Sequence, residues 1–395
     1  MPLKPFDLNL RHLRAVSVIA ERGSLVAAAD SVGLSQPALT QGLAKLEQRL
    51  GVALFERQVD GMSPTAEGRL VADRADAAVG HLSASIRKGG RGFARPELLT
   101  TGTQLRAFLA LADAGGFARA AETTGLSQPA IHRAVRELEQ VCGYPLVERR
   151  GRGVAVTPPG NRLARGIRLA RAEIAAAIAE ITDDHGAGIS IGAMPLSRAR
   201  VVPRAVARFT AEHPRVRIDV VEGAWRELID PLLDGVLEVT VGALRERAPA
   251  GLVQEPLFVD RLAIIARAGH PLATARSPTA TMLADYPWIT GQPGTPLREQ
   301  WEELFAGHDL PQAPIECGSV MVIREVLRET DFLTLLSPDQ IALEINAGVL
   351  TMIGEPLPRS SRTIGLTLRE GWRPTGAQAR FLELLRAASG VPENQ

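Results

Sequence analysis

The feature that most constrains this chain is a repeat. Leu34-Ser35-Gln36-Pro37-Ala38 returns as Leu126-Ser127-Gln128-Pro129-Ala130, displaced by 92 positions. The same displacement, without a gap, pairs Leu13-Arg14-Ala15 with Leu105-Arg106-Ala107, Ala28-Ala29 with Ala120-Ala121, and Leu46-Glu47-Gln48 with Leu138-Glu139-Gln140. It continues through Gly51, Leu54, Glu56, Arg57, Thr65 and Gly68, matched by Gly143, Leu146, Glu148, Arg149, Thr157 and Gly160. About two positions in five are identical over residues 13–68, far more than a fixed displacement gives by chance. Two copies are too few for a solenoid, and 395 residues are too many for one core. The chain is therefore a duplicated module followed by something else.

Each copy has helical apolar spacing. In the second, Leu105, Phe108, Leu109 and Leu111 form one stripe, Phe117 to Thr124 form a short Ala-rich helix, and Gly125 supplies its stop. Ser127 is placed to cap the next helix, with Pro129 in a first turn that has no use for its missing N–H. That helix turns Ile131, Val135 and Leu138 inward and Gln128, His132, Arg133 and Arg136 outward. Helix, glycine turn and polar-faced helix make the helix-turn-helix pattern. Residues 145–157, with Arg149, Arg150 and Arg152 around Gly151 and Gly153, read as a hairpin wing with a basic tip. A solvated face is the alternative for any single Arg-bearing helix, but two collinear copies of the whole motif favour DNA.

Charge agrees. The net charge of +1 divides into about +5 for residues 1–186 and about −4 for the remainder, which suits a polyanionic partner for the first half. The N-terminus has neither a secretory apolar core nor a cleavage site, and no apolar run approaches the ~20 residues of a membrane span, so a cytoplasmic protein with no membrane partner is expected. Cys142 and Cys317 are distant and lack metal spacing; no metal site and no cofactor is expected. Cys142 reads as a small core residue and Cys317 as a strand residue. His185, His213, His270 and His308 fall on loops without metal-spaced partners. Neither a nucleophile with its base nor a phosphate loop is present, so no enzyme is expected.

The run from Ala120-Ala121 through Ser127-Gln128-Pro129-Ala130, Leu138-Glu139, Glu148-Arg149 and Thr157-Pro158-Pro159-Gly160 resembles the N-terminal domain of LysR-type regulators, and the first copy resembles it nearly as well. The resemblance implies that the second helix of each copy enters the major groove. By position it assigns Ser127, Gln128, Pro129, His132, Arg133, Arg136 and the wing residues Arg149, Arg150 and Arg152 to DNA in copy two. In copy one it assigns Ser35, Gln36, Pro37, Thr40, Gln41 and Lys45. Copy one has Gln58, Val59 and Asp60 in its wing and Gly42 inside its helix. Fewer phosphate contacts, and the ~1 kcal/mol cost of a helical glycine, make copy two the expected stronger binder.

Residues 65–86 and 158–181 read as linker helices, joined through Lys88-Gly89-Gly90-Arg91-Gly92, a flexible joint. In the family such helices pair antiparallel to join a dimer. Here the two can pair within one chain; alternatively copy two dimerises conventionally and copy one is a partly retired duplicate.

Beyond Asp183, strands such as Ile189 to Ala193 and Val216 to Val221 alternate with helices over 203–212 and 225–233, an α/β pattern. His213-Pro214, Leu232 to Gly242, Gly269-His270-Pro271-Leu272 and Pro287-Trp288-Ile289 resemble the family's effector domain, two Rossmann-like lobes shared with periplasmic binding proteins. Glu238 stands where the family more often has Asp. The resemblance implies a small-molecule cleft lined by Pro195, Leu196, Ser197 and Arg200 on one side, by Thr290, Gly291, Thr295 and Arg298 on the other, and by Ser319 at a third helix. Hydroxyls beside Arg suit a carboxylate, so an organic or aromatic acid, or a sugar, is the expected ligand class. The plainer alternative makes the arginines surface charges and Ser197 and Thr295 ordinary caps.

The expected architecture is thus multidomain: winged helix-turn-helix one over 1–64, linker helix and joint over 65–99, winged helix-turn-helix two over 100–157, a second linker helix over 158–184, and a two-lobed α/β effector domain over 185–395. The expected function is a sequence-specific transcription regulator binding double-stranded DNA, a small effector and itself as a dimer or tetramer, with RNA polymerase as a further partner. The rivals are a solute-binding module and an architectural DNA-binding protein without a working sensor.

Overall fold

The computed structural model describes residues 3–58, 61–87, 93, 95–151, 153–182 and 188–390, with the Arg87 side chain left aside. The proposed joint over 88–92, Val59, Asp60, Arg152 and residues 183–187 with His185 lie outside these. A short 3-10 turn at Pro5–Asp7 leads into α1 (Leu10–Arg22), α2 (Leu25–Val32) and α3 (Gln36–Leu50), a hairpin of β1 (Phe55–Gln58) and β2 (Gly61–Pro64), and α4 (Ala66–Arg87). A 3-10 turn at Pro96–Leu98 opens the same series again: α5 (Gly102–Ala114), α6 (Phe117–Thr124), α7 (Gln128–Cys142), β3 (Val147–Arg150), β4 (Gly153–Val156) and α8 (Pro158–Thr182).

The shared motif residues have visible work. Glu47 and Glu139 each accept the backbone N–H of the leucine seven residues on, Leu54 and Leu146, at 2.8 Å, tying helix to wing. Thr65 and Thr157 cap the linker helices by accepting from Gly68 and Gly160 N–H at 2.9 and 3.1 Å. A Cβ on either glycine would lie 1.9 or 2.3 Å from the Leu54 or Leu146 carbonyl oxygen, which excludes any other residue there. Gly42 lies inside α3, as expected, and packs against a side chain. Its Cβ would sit 2.3 Å from His12 Nε2, so glycine makes room for a packed histidine.

The two copies share one apolar core running from Phe6 to Ile178. Linker helices α4 and α8 form its spine and lie antiparallel: Gly166 packs against Ser85 and the His81 carbonyl, while Arg74 reaches Glu173 and Glu180. These contacts are reciprocal under the 92-residue displacement, since Gly166 is the counterpart of Arg74 and Glu173 that of His81. An approximate two-fold axis therefore relates copy one to copy two inside a single chain.

The C-terminal half comprises β5 (Ile189–Ala193), α9 (Val201–Glu212), β6 (Ile218–Glu222), α10 (Trp225–Leu233), β7 (Val239–Ala243), β8 (Leu252–Asp260), β9 (Ala263–Arg267), α11 (Ala280–Ala284), β10 (Trp288–Thr290), α12 (Pro296–Leu304), β11 (Ile315–Glu316), α13 (Val320–Glu329), β12 (Leu333–Leu336), α14 (Ala342–Asn346), β13 (Leu350–Ile353), β14 (Arg362–Arg369) and α15 (Gly376–Ser389). One sheet orders its strands β6-β5-β7-β14-β8, the other β11-β10-β12-β9-β13. The chain crosses between lobes after β8 and returns before β14. Asp260, at the first crossing, accepts from Ser337 Oγ at 2.5 Å and from Arg362 Nε at 2.7 Å, clamping both crossings together. Cys317, read as a strand residue, instead lies just past β11, where its Sγ accepts from Ser319 N–H at 3.3 Å. No helix among the described residues is long and apolar enough to cross a membrane.

Candidate nucleic-acid interface and effector cleft

On both α3 and α7 a serine hydroxyl starts the helix: Ser35 Oγ accepts from Ala38 N–H at 3.4 Å and Ser127 Oγ from Ala130 N–H at 3.3 Å. With apolar residues turned inward, Gln36, Pro37, Thr40, Gln41 and Lys45 stand exposed on α3, and Gln128, Pro129, His132, Arg133 and Arg136 on α7. Thr40 is partly committed, donating to the Gln36 carbonyl at 2.9 Å. His132 is held by stacking on Phe117, ring centres 4.6 Å apart. Arg133, Arg136, Arg149 and Arg150 have no intramolecular partner among the described residues, so their cations are free for an external anion. Arg152 lies outside those residues.

In the C-terminal half the two expected loops occupy corresponding places, each following the C-terminal end of a parallel strand, β5 in one lobe and β10 in the other. Pro195 is exposed, Leu196 is buried, and Ser197 is fully buried with its hydroxyl donating to the Met194 carbonyl at 2.9 Å. Arg200, just before α9, meets Asp339 of the other lobe at 3.0 Å and leaves a buried Nε without a partner. Thr290 is buried and accepts from Arg298 Nη1 at 3.3 Å. Arg298 also pairs with Glu302 and Glu316 and lies over the Trp301 ring at 4.7 Å. Thr295 caps α12, Gly291 packs so closely that a Cβ would stand 2.6 Å from Thr295 Oγ1, and Ser319 is exposed at the start of α13. Arg200 thus keeps a buried donor without a partner, while Arg298 commits its Nε and Nη1 to Glu302, Thr290 and Glu316. No group of three metal-ligating side chains occurs among the described residues.

Sequence reasoning missed the junction between halves. Arg74, on α4, is nearly buried and bonds Glu173 and Glu180 of α8 and, at 2.9 Å, the Arg373 carbonyl of the C-terminal domain. Arg373 Nη2 in turn donates to the Asp73 carbonyl at 2.9 Å. Arg74, Glu173 and Arg373 border a cavity of about 290 Å³ between the linker helices and the first lobe, reached also by Glu238, Arg369 and Trp372. The available signal was spacing: Arg74 falls inside the apolar row Val71, Ala75 and Ala78, where a charge must find a partner.

Comparison with known proteins agrees with this geometry. The model described as "LysR substrate binding domain" matches residues 183–390, and that described as "Bacterial regulatory helix-turn-helix protein, lysR family" matches twice, at 10–69 and 103–161. The chain is 33% identical over 384 residues to the HTH-type transcriptional regulator GalR of Pseudomonas putida, covering 96% of each protein. It is 37% identical over 262 residues to the SDS degradation transcriptional activation protein of a Pseudomonas species, covering 63% of this chain and 83% of that one. Among solved structures, ArgP from Mycobacterium tuberculosis shares the fold with a TM-score of 0.57 at 20% identity, over 72% of this chain and 96% of that one.

Proposed function

The chain belongs to the LysR family of DNA-binding transcription regulators with a C-terminal effector-binding domain, and from that premise we propose that one polypeptide carries a complete pair of DNA-reading heads. A dyad operator read by helix-turn-helix proteins needs two recognition helices related by a two-fold axis. Relatives in general obtain the second from another subunit; here α3 and α7 supply both. The observation that carries this reading is the antiparallel pairing of α4 with α8 inside one apolar core. It favours the internal pair over a retired first copy, because copy one contributes half of that core.

In this reading Gln36, Pro37, Thr40 and Gln41 of α3, and Gln128, Pro129, His132 and Arg133 of α7, face base edges. Ser35, Ser127, Lys45, Arg136 and wing residues Arg149, Arg150 and Arg152 serve the phosphates. The working units are 1–64, 65–99, 100–157, 158–184 and 185–395. RNA polymerase and further copies of the chain are proposed partners of the assembled regulator.

The effector is proposed to be a small organic acid. Arg200 supports this: it links the lobes through Asp339 yet keeps a buried, unpartnered Nε. A ligand carboxylate would compete with Asp339 and change how the lobes are joined. Footprinting by the purified full-length protein at increasing concentration tests the DNA part. A single monomer protecting two half-sites at once supports the internal pair, whereas protection that requires two chains per site refutes it. A thermal-shift screen of carboxylates against wild type and Arg200→Gln tests the effector; stabilisation that survives in the variant removes Arg200 from the site.

A further inference from the structure

The internal pairing fixes something a homodimer cannot have, a permanent pairing of two unlike heads. Resting on the regulator reading above, the repeat aligns Gln41 with Arg133, Thr40 with His132, Ala44 with Arg136 and Lys45 with Glu137. All eight are exposed on the outer faces of α3 and α7. The first turn is common to both, Gln36-Pro37 and Gln128-Pro129, so the heads agree there and diverge one turn later. The difference has a chemical meaning. An Arg fork matches O6 and N7 of guanine, whereas a glutamine amide matches N6 and N7 of adenine.

The C-terminal domain is equally one-sided. Its Asp234 is held by Arg165 and, at 2.7 Å, by Arg168 on α8. The counterparts of those arginines on α4 are Asp73 and Asp76, so the copy-one face would repel the same carboxylate. A single effector domain therefore docks in one orientation relative to the two heads.

We propose that the operator of this protein is directional, built of two unlike half-sites, with adenine facing Gln41 at the position where the other half has guanine facing Arg133. The site's polarity then dictates on which side of the dyad the effector domain lies.

Selection of random duplex DNA by the full-length wild type, Gln41→Arg and Arg133→Gln tests this, followed by titration of the winners. Wild type is expected to enrich a pseudo-palindrome with guanine in one half and adenine at the related position of the other, each exchange weakening binding about ten-fold or more. Gln41→Arg should enrich guanine in both halves and Arg133→Gln adenine in both. Both positions are exposed, and matching thermal midpoints verify that the variants fold. A perfect palindrome selected by wild type, or unchanged preferences in both variants, overturns the inference while leaving the regulator reading intact. Absence of any enriched sequence with wild type defeats the regulator reading itself, and the directional operator with it.

Discussion

The Arg74 guanidinium lies 2.9 Å from the Glu173 carboxylate, joining two linker helices that descend from a single ancestral segment and now face each other within one chain. Their counterparts, Gly166 and His81, meet at the reciprocal position without an ion pair. The duplicated pair has thus diverged where a homodimer would repeat the same contact at both positions.

Removal of Arg74 should be costly. Both partners are nearly buried, 7% and 10% exposed, and truncating one member of such a pair strands the other charge at a typical cost of ~3–5 kcal/mol. Arg74→Ala is expected to lower the urea midpoint strongly and to loosen the C-terminal domain, whose Arg373 carbonyl loses its donor. Arg74→Ala with Glu173→Gln should recover part of the loss; equal stability of the single variant and wild type would show the pair to be idle.

Gly42 tests the packing logic. Gly42→Ala should destabilise despite alanine's better helix propensity, by about 1–3 kcal/mol, because its methyl collides with the His12 ring. With His12→Ala in place the same change should become neutral or stabilising. Additive effects in this double-mutant cycle would place the two residues out of contact.

Free cations on copy two should appear in the salt dependence of DNA binding. Arg149→Ala, at a wing residue without an intramolecular partner among the described residues, is expected to reduce the slope of log affinity against log salt by about one while leaving sequence preference intact. Arg133→Ala should cost about 1–3 kcal/mol on the preferred site and relax preference at one position. Identical behaviour of both variants would argue against a division between phosphate and base contacts.

Glu238 gives the chain a stability that depends on pH. Burial pushes its carboxyl up to about 7 from an ordinary 4.5, opposed by the hydrogen bond from Ser190 N–H and by the Arg369 cation, and assisted by Asp219. A carboxyl with a raised folded value binds its proton more tightly when folded, so this contribution favours folding below pH 4.5 and is lost as pH rises from there through 7. Urea midpoints of Glu238→Gln relative to wild type should therefore improve between pH 5 and pH 8, in comparison at the two pH values. A difference independent of pH would show that Glu238 does not titrate in this range.

Much of the site was legible because its signals are local. Capping serines, helix-stopping glycines and the outward polar row of α7 need only neighbours within a turn or two, and Phe117 to Thr124 and Trp225 to Leu233 form helices over the bounds their spacing marks. The effector cleft was less legible. Position in a loop says which side chains are near a strand end, but whether a guanidinium is spent depends on residues such as Glu316 or Asp339, distant in sequence.

The sequence by itself determined that the chain holds two copies of one helical module and an α/β unit, because repeats and hydrophobic periods are written along the chain. Only the tertiary structure decided which surfaces the copies turn to each other. Pairing of α4 with α8 rests on Arg74 meeting Glu173 and Glu180 and on Gly166 admitting Ser85, and the C-terminal domain's Asp234 is held by Arg165 and Arg168, whose counterparts are Asp73 and Asp76. Each is a contact between residues tens of positions apart or more, whose energy exists only once the chain has brought them together.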